Sequence, residues 1–285
     1  MQKRLAVLLS SLTALTCIIF AIGGAFAQEK TKLPIIMYHS VVEDESRAGK
    51  YVLSARQFEN DVKYLYENGY NAVDFSDLLK YIEGGELPVK PVMITFDDGF
   101  INNVDICGPI LKKYSMKAVI SVVGVYAQAE EECTWKRSDN YSYLKWEEIK
   151  EVSQGNVFEI QNHSYNMHGG NGRQGAKKKD EEREEAFICS IEDDMLKMQG
   201  LLTDKCGVTP VCFTYPFGYF NKCTERAVKR CGFRASMTCY EKINEITRDK
   251  QSLYALGRYN RPADKDTAEF FKNIICRAED TQQNT

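Results

Sequence analysis

The sequence predicts an α/β protein with one large domain of about seven strand-helix units. Two observations carry that prediction. The 285 residues suit a barrel of alternating strands and helices, which commonly reaches about 250 residues around a single core. Short apolar runs also alternate with helical segments along the chain, which argues for parallel strands joined by helical crossovers. Such units wrap into a barrel or into a doubly wound open sheet, and periodicity does not choose between them. In either architecture the site gathers at the carboxyl ends of the strands.

Taken in order, residues 33 to 38 (Leu-Pro-Ile-Ile-Met-Tyr) are an apolar run closed by His39. Ser54 and Gln57 make a capping box for a helix with Phe58, Val62 and Leu65 on one face and Gly69 as its stop. Residues 70 to 75 read as a strand, and Leu78, Leu79 and Ile82 continue a short helix to Gly84-Gly85. Residues 91 to 96 (Pro-Val-Met-Ile-Thr-Phe) are a buried strand that delivers Asp97-Asp98-Gly99 to its own end. Beyond it the pattern gives a helix at 110–114, a strand at 118–123, a helix at 146–152 and a strand at 157–161. The charged run 173–185 reads as a solvated loop or helix start. A helix at 184–202, strands at 211–214, 234–238 and 253–258, and helices at 224–230 and 267–277 complete the chain.

Two adjacent carboxylates repel when both are ionised and unpaired, so Asp97 and Asp98 need a cation or a shared proton. The strand at 157–161 runs into Asn162-His163-Ser164-Tyr165-Asn166-Met167-His168, which puts two of the three histidines in the chain on one loop past a strand end. Two imidazole nitrogens and one carboxylate oxygen leave open positions for water and substrate, as a catalytic zinc site requires.

Thr95-Phe96-Asp97-Asp98-Gly99 resembles the first signature of the polysaccharide deacetylases with a NodB-type domain, carbohydrate esterase family four. The resemblance covers roughly residues 33 to 262 and implies a distorted, incomplete (β/α) barrel. It also implies a metal-dependent hydrolase, most simply a zinc enzyme, that removes N-acetyl groups from N-acetylglucosamine-containing polysaccharide. The family's His-Ser/Thr-x-x-His signature has one residue fewer than the 163–168 stretch, a departure that resembles the branch acting on exopolysaccharide poly-N-acetylglucosamine. By position the implied metal ligands are Asp98, His163 and His168, with Asp97 as the base. In Phe213-Thr214-Tyr215-Pro216-Phe217-Gly218, which matches the third signature, the Phe217 N–H is the implied oxyanion donor. With His163 and His168 occupied, His39 is the remaining histidine to protonate the leaving amine, and its segment resembles the same branch. Thr214 stands where many members carry an arginine that orients the base, and the late histidine expected near Leu256-Gly257-Arg258 is missing. An O-acetyl esterase with the same site and a glycan-binding pseudoenzyme are the alternative readings. Tyr38, Tyr165, Tyr215 and Tyr219 flank the motifs and could stack on sugar rings.

A net charge of −3 gives no reason to expect a nucleic-acid partner. Lys3-Arg4, the uncharged run 5–22 and Ala25-Phe26-Ala27 have the form of a signal peptide over residues 1–27, with the deacetylase domain at 28–285. That places the protein outside the cell or at its surface; left uncleaved, the leader is long enough to be a membrane anchor. Nine of the ten cysteines remain after Cys17. The cluster Cys206, Cys212, Cys223, Cys231 and Cys239 is open to disulfide pairing or to service as buried thiols.

Overall fold

The computed structural model describes residues 30–279 except 135, 139–140 and 170–172, so the leader at 1–27 lies outside the described residues. Seven parallel strands form the centre: β1 (Ile35–Tyr38), β2 (Pro91–Phe96), β3 (Ala118–Val122), β4 (Phe158–Asn162), β5 (Cys212–Thr214), β6 (Ala235–Met237) and β7 (Tyr259–Asn260). Their order is β6-β5-β4-β3-β2-β1-β7, and a two-residue strand Asn71–Ala72 pairs onto the start of β2. The two ends of this row approach each other through a bridge between Met237 and Leu256 and the Thr238 N–H donated to the Leu256 carbonyl. The result is the expected incomplete barrel.

Every residue of β1, β2 and β3 is buried, as parallel strands covered on both faces must be. Alternation along the strands divides them. Ile36, Ile94 and Ile120 pack outward with helix residues such as Phe58, Val62 and Ile149. Ile35, Met93 and Val119 pack in a second cluster with Cys212, Ala235, Met237 and Leu256. On the face shared with Met93, two and four residues further along, lie Thr95 and Asp97. The same alternation that fills the lower interior with hydrocarbon therefore makes its upper end polar.

The helices are held at their starts as the sequence requires. Ala55–Glu67 carries the Ser54/Gln57 capping box, and Phe75–Ile82 carries one from Asp74 and Asp77. Helices Cys107–Lys113, Trp146–Ser153, Glu184–Leu201, Lys222–Arg230 and Thr267–Glu279 lie close to their expected places. Among the described residues, no helix is long and apolar enough to cross a membrane. The eight described cysteines, including the five of the 206–239 cluster, are free thiols.

Three expectations need correction. The strand expected at 253–258 is instead a 3-10 turn, Lys250–Leu253, followed by Ala255 at φ 53°, and the ladder begins only at Tyr259. A left-handed residue cannot continue an extended strand. The strand expected at 70–75 shrinks to Asn71–Ala72 because Asp74 caps the next helix. The 173–185 run is not simply solvated, for Arg173 is buried, pairs with Glu182 and lies 5.2 Å over the Phe187 ring. Helix Gly124–Glu132 went unexpected because only Gly124 and Ala127 are buried in it, leaving no apolar stripe to read.

Candidate active site and metal centre

The loops after β1, β2, β4 and β5 meet at the carboxyl end of the barrel around a cleft of about 710 Å³. All six residues singled out from the sequence line it: His39, Asp97, Asp98, His163, His168 and Phe217. Three of these loops turn on a residue other than glycine in the left-handed region, Asp98 (φ 69°), Ser164 (φ 75°) and Phe217 (φ 57°). Such conformations persist where the surroundings impose them, often at functional sites. After β2 the Gly99 N–H donates to the Asp97 carbonyl at 2.9 Å. A Cβ on Gly99 would meet Val122 Cγ1 at 2.9 Å, so the tight turn that presents both carboxylates needs glycine there.

Asp98, His163 and His168 each offer a ligand atom, and the three atoms lie within 4.8 Å of one another. Asp98 Oδ1 is 3.8 Å from His163 Nε2 and 3.6 Å from His168 Nε2. Donors that each sit about 2.0–2.1 Å from one ion are separated by somewhat over 3 Å, so small movements close this set on a divalent cation. The His163 ring is held in place, because Nδ1 lies 2.8 Å from the Thr214 carbonyl and donates its proton there, leaving the Nε2 lone pair to the cluster. Burial lowers the pKa of both histidines, and the neighbouring His163 lowers that of His168 further. Neutral imidazoles are what a cation needs. Burial, then the Asp97 charge, push Asp98 up to about 7, a cost of keeping two carboxylates ionised that a cation relieves. The donor set fits a metal.

The histidine loop is gripped from behind. Asp194, on helix Glu184–Leu201, accepts the Tyr165 N–H at 2.7 Å and the Asn166 N–H at 2.8 Å. Asn162 Oδ1 accepts the Ser164 N–H at 2.8 Å, and its amide donates to the Met195 carbonyl at 3.2 Å. The loop with its extra residue between the histidines is thus held by main-chain contacts.

Asp97 has a different environment. It is 3% exposed, and Arg258, fully buried, reaches it with two parallel hydrogen bonds, Nη1 to Oδ1 at 2.6 Å and Nη2 to Oδ2 at 2.7 Å. Burial alone would raise the Asp97 pKa. The charges of Arg258 and His163 and the Arg258 hydrogen bonds outweigh it and hold the carboxyl well below the usual range. Arg258 was missed as a site residue: the sequence puts an arginine beyond a late apolar segment, but nothing local says that it runs to Asp97. Thr214, at the position where an arginine was sought, bonds Ser121 through its hydroxyl at 2.7 Å and His163 through its carbonyl.

His39 faces the cleft from the end of β1, its ring 4.8 Å from that of Tyr51, and its buried Nδ1 has no hydrogen-bond partner among the described residues. Burial lowers its pKa to about 4, so it is neutral at pH 7. Phe217 is 47% exposed and its ring lies 5.5 Å from that of His168. Of the four flanking tyrosines, Tyr219 lines the cleft, whereas Tyr38 and Tyr215 are buried in the core. Tyr38 donates to Asp61 at 3.1 Å, and Tyr165 carries the Lys197 ammonium over its ring at 3.5 Å. Besides Tyr219, the aromatic walls come from Tyr51, Tyr126, Tyr141, Phe100 and Phe217.

Known proteins share this arrangement of chain. A polysaccharide deacetylase family model matches residues 84–236, more than half of the sequence. The Bacillus subtilis protein YxkH is 28% identical over 232 residues, covering 81% of this chain and 72% of that protein. Poly-beta-1,6-N-acetyl-D-glucosamine N-deacetylase of Escherichia coli K12 is 27% identical over 268 residues, which are 87% of this chain; the chain spans only 39% of that protein. A de-N-acetylase from Aggregatibacter actinomycetemcomitans superposes with a TM-score of 0.72 at 24% identity, over 85% of this chain and 99% of that one. With the signature carboxylates at the end of β2 and the histidine loop at the end of β4 on one cleft, the chain belongs to the polysaccharide deacetylase family.

Proposed function

We propose that the protein hydrolyses N-acetyl groups of N-acetylglucosamine-containing polysaccharide, with a divalent cation held by Asp98, His163 and His168. The observation that supports this most directly is the division of labour between two adjacent carboxylates. Asp97 is paired with a buried arginine, and Asp98 faces two imidazoles. The mixed nitrogen and oxygen donor set suits zinc, which when bound supplies Lewis-acid polarisation of the acetamide carbonyl and acidifies the attacking water.

The chain's own groups supply the rest. Arg258 keeps Asp97 ionised and fixes the direction of its carboxylate, so Asp97 is ready to accept the proton that the water loses on attacking the carbonyl carbon. The carbonyl oxygen gains the negative charge, and the Phe217 N–H, on the strained turn after β5, is the donor offered to it. The carbon-nitrogen bond then breaks as the amine takes a proton. His39 is the proposed donor; since burial keeps it neutral at rest, it acts as a relay for the proton that Asp97 took from the water. The cleft holds more than an acetyl group, and its aromatic walls suit the apolar faces of sugar rings. We also take residues 1–27 to be an export leader or anchor, which puts the site where extracellular glycan is found.

The test is acetate release from poly-N-acetylglucosamine, chitin-like oligomers and peptidoglycan by chelated protein given single metals back. In the same assay Asp97→Asn is expected to keep its metal and lose at least a hundredfold in kcat, the scale of a positioned proton transfer. A folded Asp97→Asn protein that also lost its metal would make Asp97 a ligand.

A further inference from the structure

The cleft carries cationic side chains that neither the metal cluster nor the proton transfers use. Residues 45 to 51 form one wall, where the 3-10 turn Glu45–Arg47 and the following loop bring Arg47, Lys50 and Tyr51 to the cavity. The Arg47 guanidinium lies 4.6 Å over the Tyr141 ring and donates to the Tyr141 hydroxyl; the Lys50 ammonium stands 5.0 Å over the Tyr51 ring. Among the described residues no carboxylate lies within ion-pair distance of either cation. Neither of the two acids beside Arg47 on this turn makes an ion pair with it. Asp44 feels the Arg47 charge but accepts the Ser46 N–H and hydroxyl at 3.0 and 2.7 Å, and Glu45 pairs with Arg56 at 2.6 Å.

Inside the cavity, only Asp97 and Asp98 among its described lining residues carry carboxylates. Asp97 is spoken for by Arg258, and Asp98 belongs to the metal cluster. Among the described residues that line the cleft, Arg47 and Lys50 are therefore cations without a carboxylate in ion-pair contact. A neutral polymer gives such cations nothing to pair with, and the ammonium formed by deacetylation would be repelled by them.

We infer that the glycan accepted here is acidic: a sugar next to the acetamido sugar being cleaved carries a free carboxylate, as in a uronic acid, that pairs with Arg47 and Lys50. The inference rests on the deacetylase reading of the site and names its substrate class. Arg47 can hold the carboxylate with two parallel N–H bonds while remaining stacked on Tyr141, and Lys50 adds a second charge at the open rim.

The experiment compares two N-acetylglucosamine oligomers of equal length, one neutral and one with a carboxylate on the adjacent sugar. Acetate release by the metal-loaded enzyme is followed together with calorimetric binding to the chelated protein. The wild type is expected to show a lower KM and tighter binding for the acidic oligomer, by about tenfold, the scale of two partly exposed charge pairs. That preference should shrink toward one in the Arg47→Ala/Lys50→Ala protein and in 0.5 M salt, where screening is strong. Equal KM and equal binding for the two oligomers in the wild type would overturn the inference while leaving deacetylation intact. Absence of acetate from both would instead overturn the deacetylase reading, and preferential binding of the acidic oligomer would still decide the charge assignment.

Discussion

Carboxylates stand at both ends of the barrel, and the two ends treat them differently. At the amino end, Lys117 reaches Asp74 at 2.6 Å and Asp77 at 2.5 Å. Glu159 accepts the Phe75 and Ser76 N–H groups at 2.8 and 3.0 Å and the Ser76 hydroxyl at 2.6 Å. At the carboxyl end Asp97 is matched in the same manner by Arg258, but Asp98 meets only the two imidazoles as possible ionic partners among the described residues. An end whose acids all have protein partners is complete on folding. The other end leaves one acid and two neutral nitrogen bases converging on the same point, an arrangement that fits the proposed metal.

The largest effect should come from breaking that convergence. His163→Ala is expected to bring bound metal and acetate release to background together, as read by elemental analysis and the acetate assay. Asp98→Asn should lose the metal as well, yet raise the Tm of the chelated protein by about 2 °C or more at pH 7. The sign follows from the Asp98 pKa, raised by burial and by Asp97: ionising it in the apo fold is unfavourable, and a neutral amide removes that cost. An unchanged or lower Tm for that variant would dissolve the distinction between the two ends.

Arg258→Met comes next. It leaves Asp97 buried without its cation, and denaturant unfolding should show a loss of about 3–5 kcal/mol, the scale for breaking a buried pair from one side. Smaller still is Asp194→Ala, which frees the Tyr165 and Asn166 amides. Metal affinity should fall about tenfold, as for other groups that orient ligands from behind, while acetate release recovers at saturating metal. At the amino end, Lys117→Met should reduce stability by only about 1 kcal/mol, since the pair is partly exposed, and leave metal content and acetate release as they were.

The convergence of Asp98, His163 and His168 could be read from the sequence because each part is local. A buried strand ends in Asp97-Asp98, and another ends at His163 with His168 on the same loop, so strand direction alone carries the groups to one rim. The capped helices and the strand Pro91–Phe96 were legible for the same reason. Arg258 was not, because its pairing depends on β7 lying beside β1 and on the interior of the barrel being narrow enough to cross. Asp194 was hidden likewise, its partners being main-chain amides with no sequence signature. The turn at Ala255 escaped because an alanine in the left-handed region has no compositional mark.

Arg258 and Asp97 are separated by 161 positions in the chain, and that distance matters during synthesis. Every other strand of the barrel has been made before residue 258 emerges, so the carboxylate is installed long before its counter-charge. Until the last strand docks, a buried Asp97 has no arginine and burial favours its protonated form, which cannot take a proton from water. On the proposed role of Asp97 as the base, docking of the last strand is the step that readies its carboxylate, and a chain ending upstream of Arg258 would lack the counter-charge that holds it ionised.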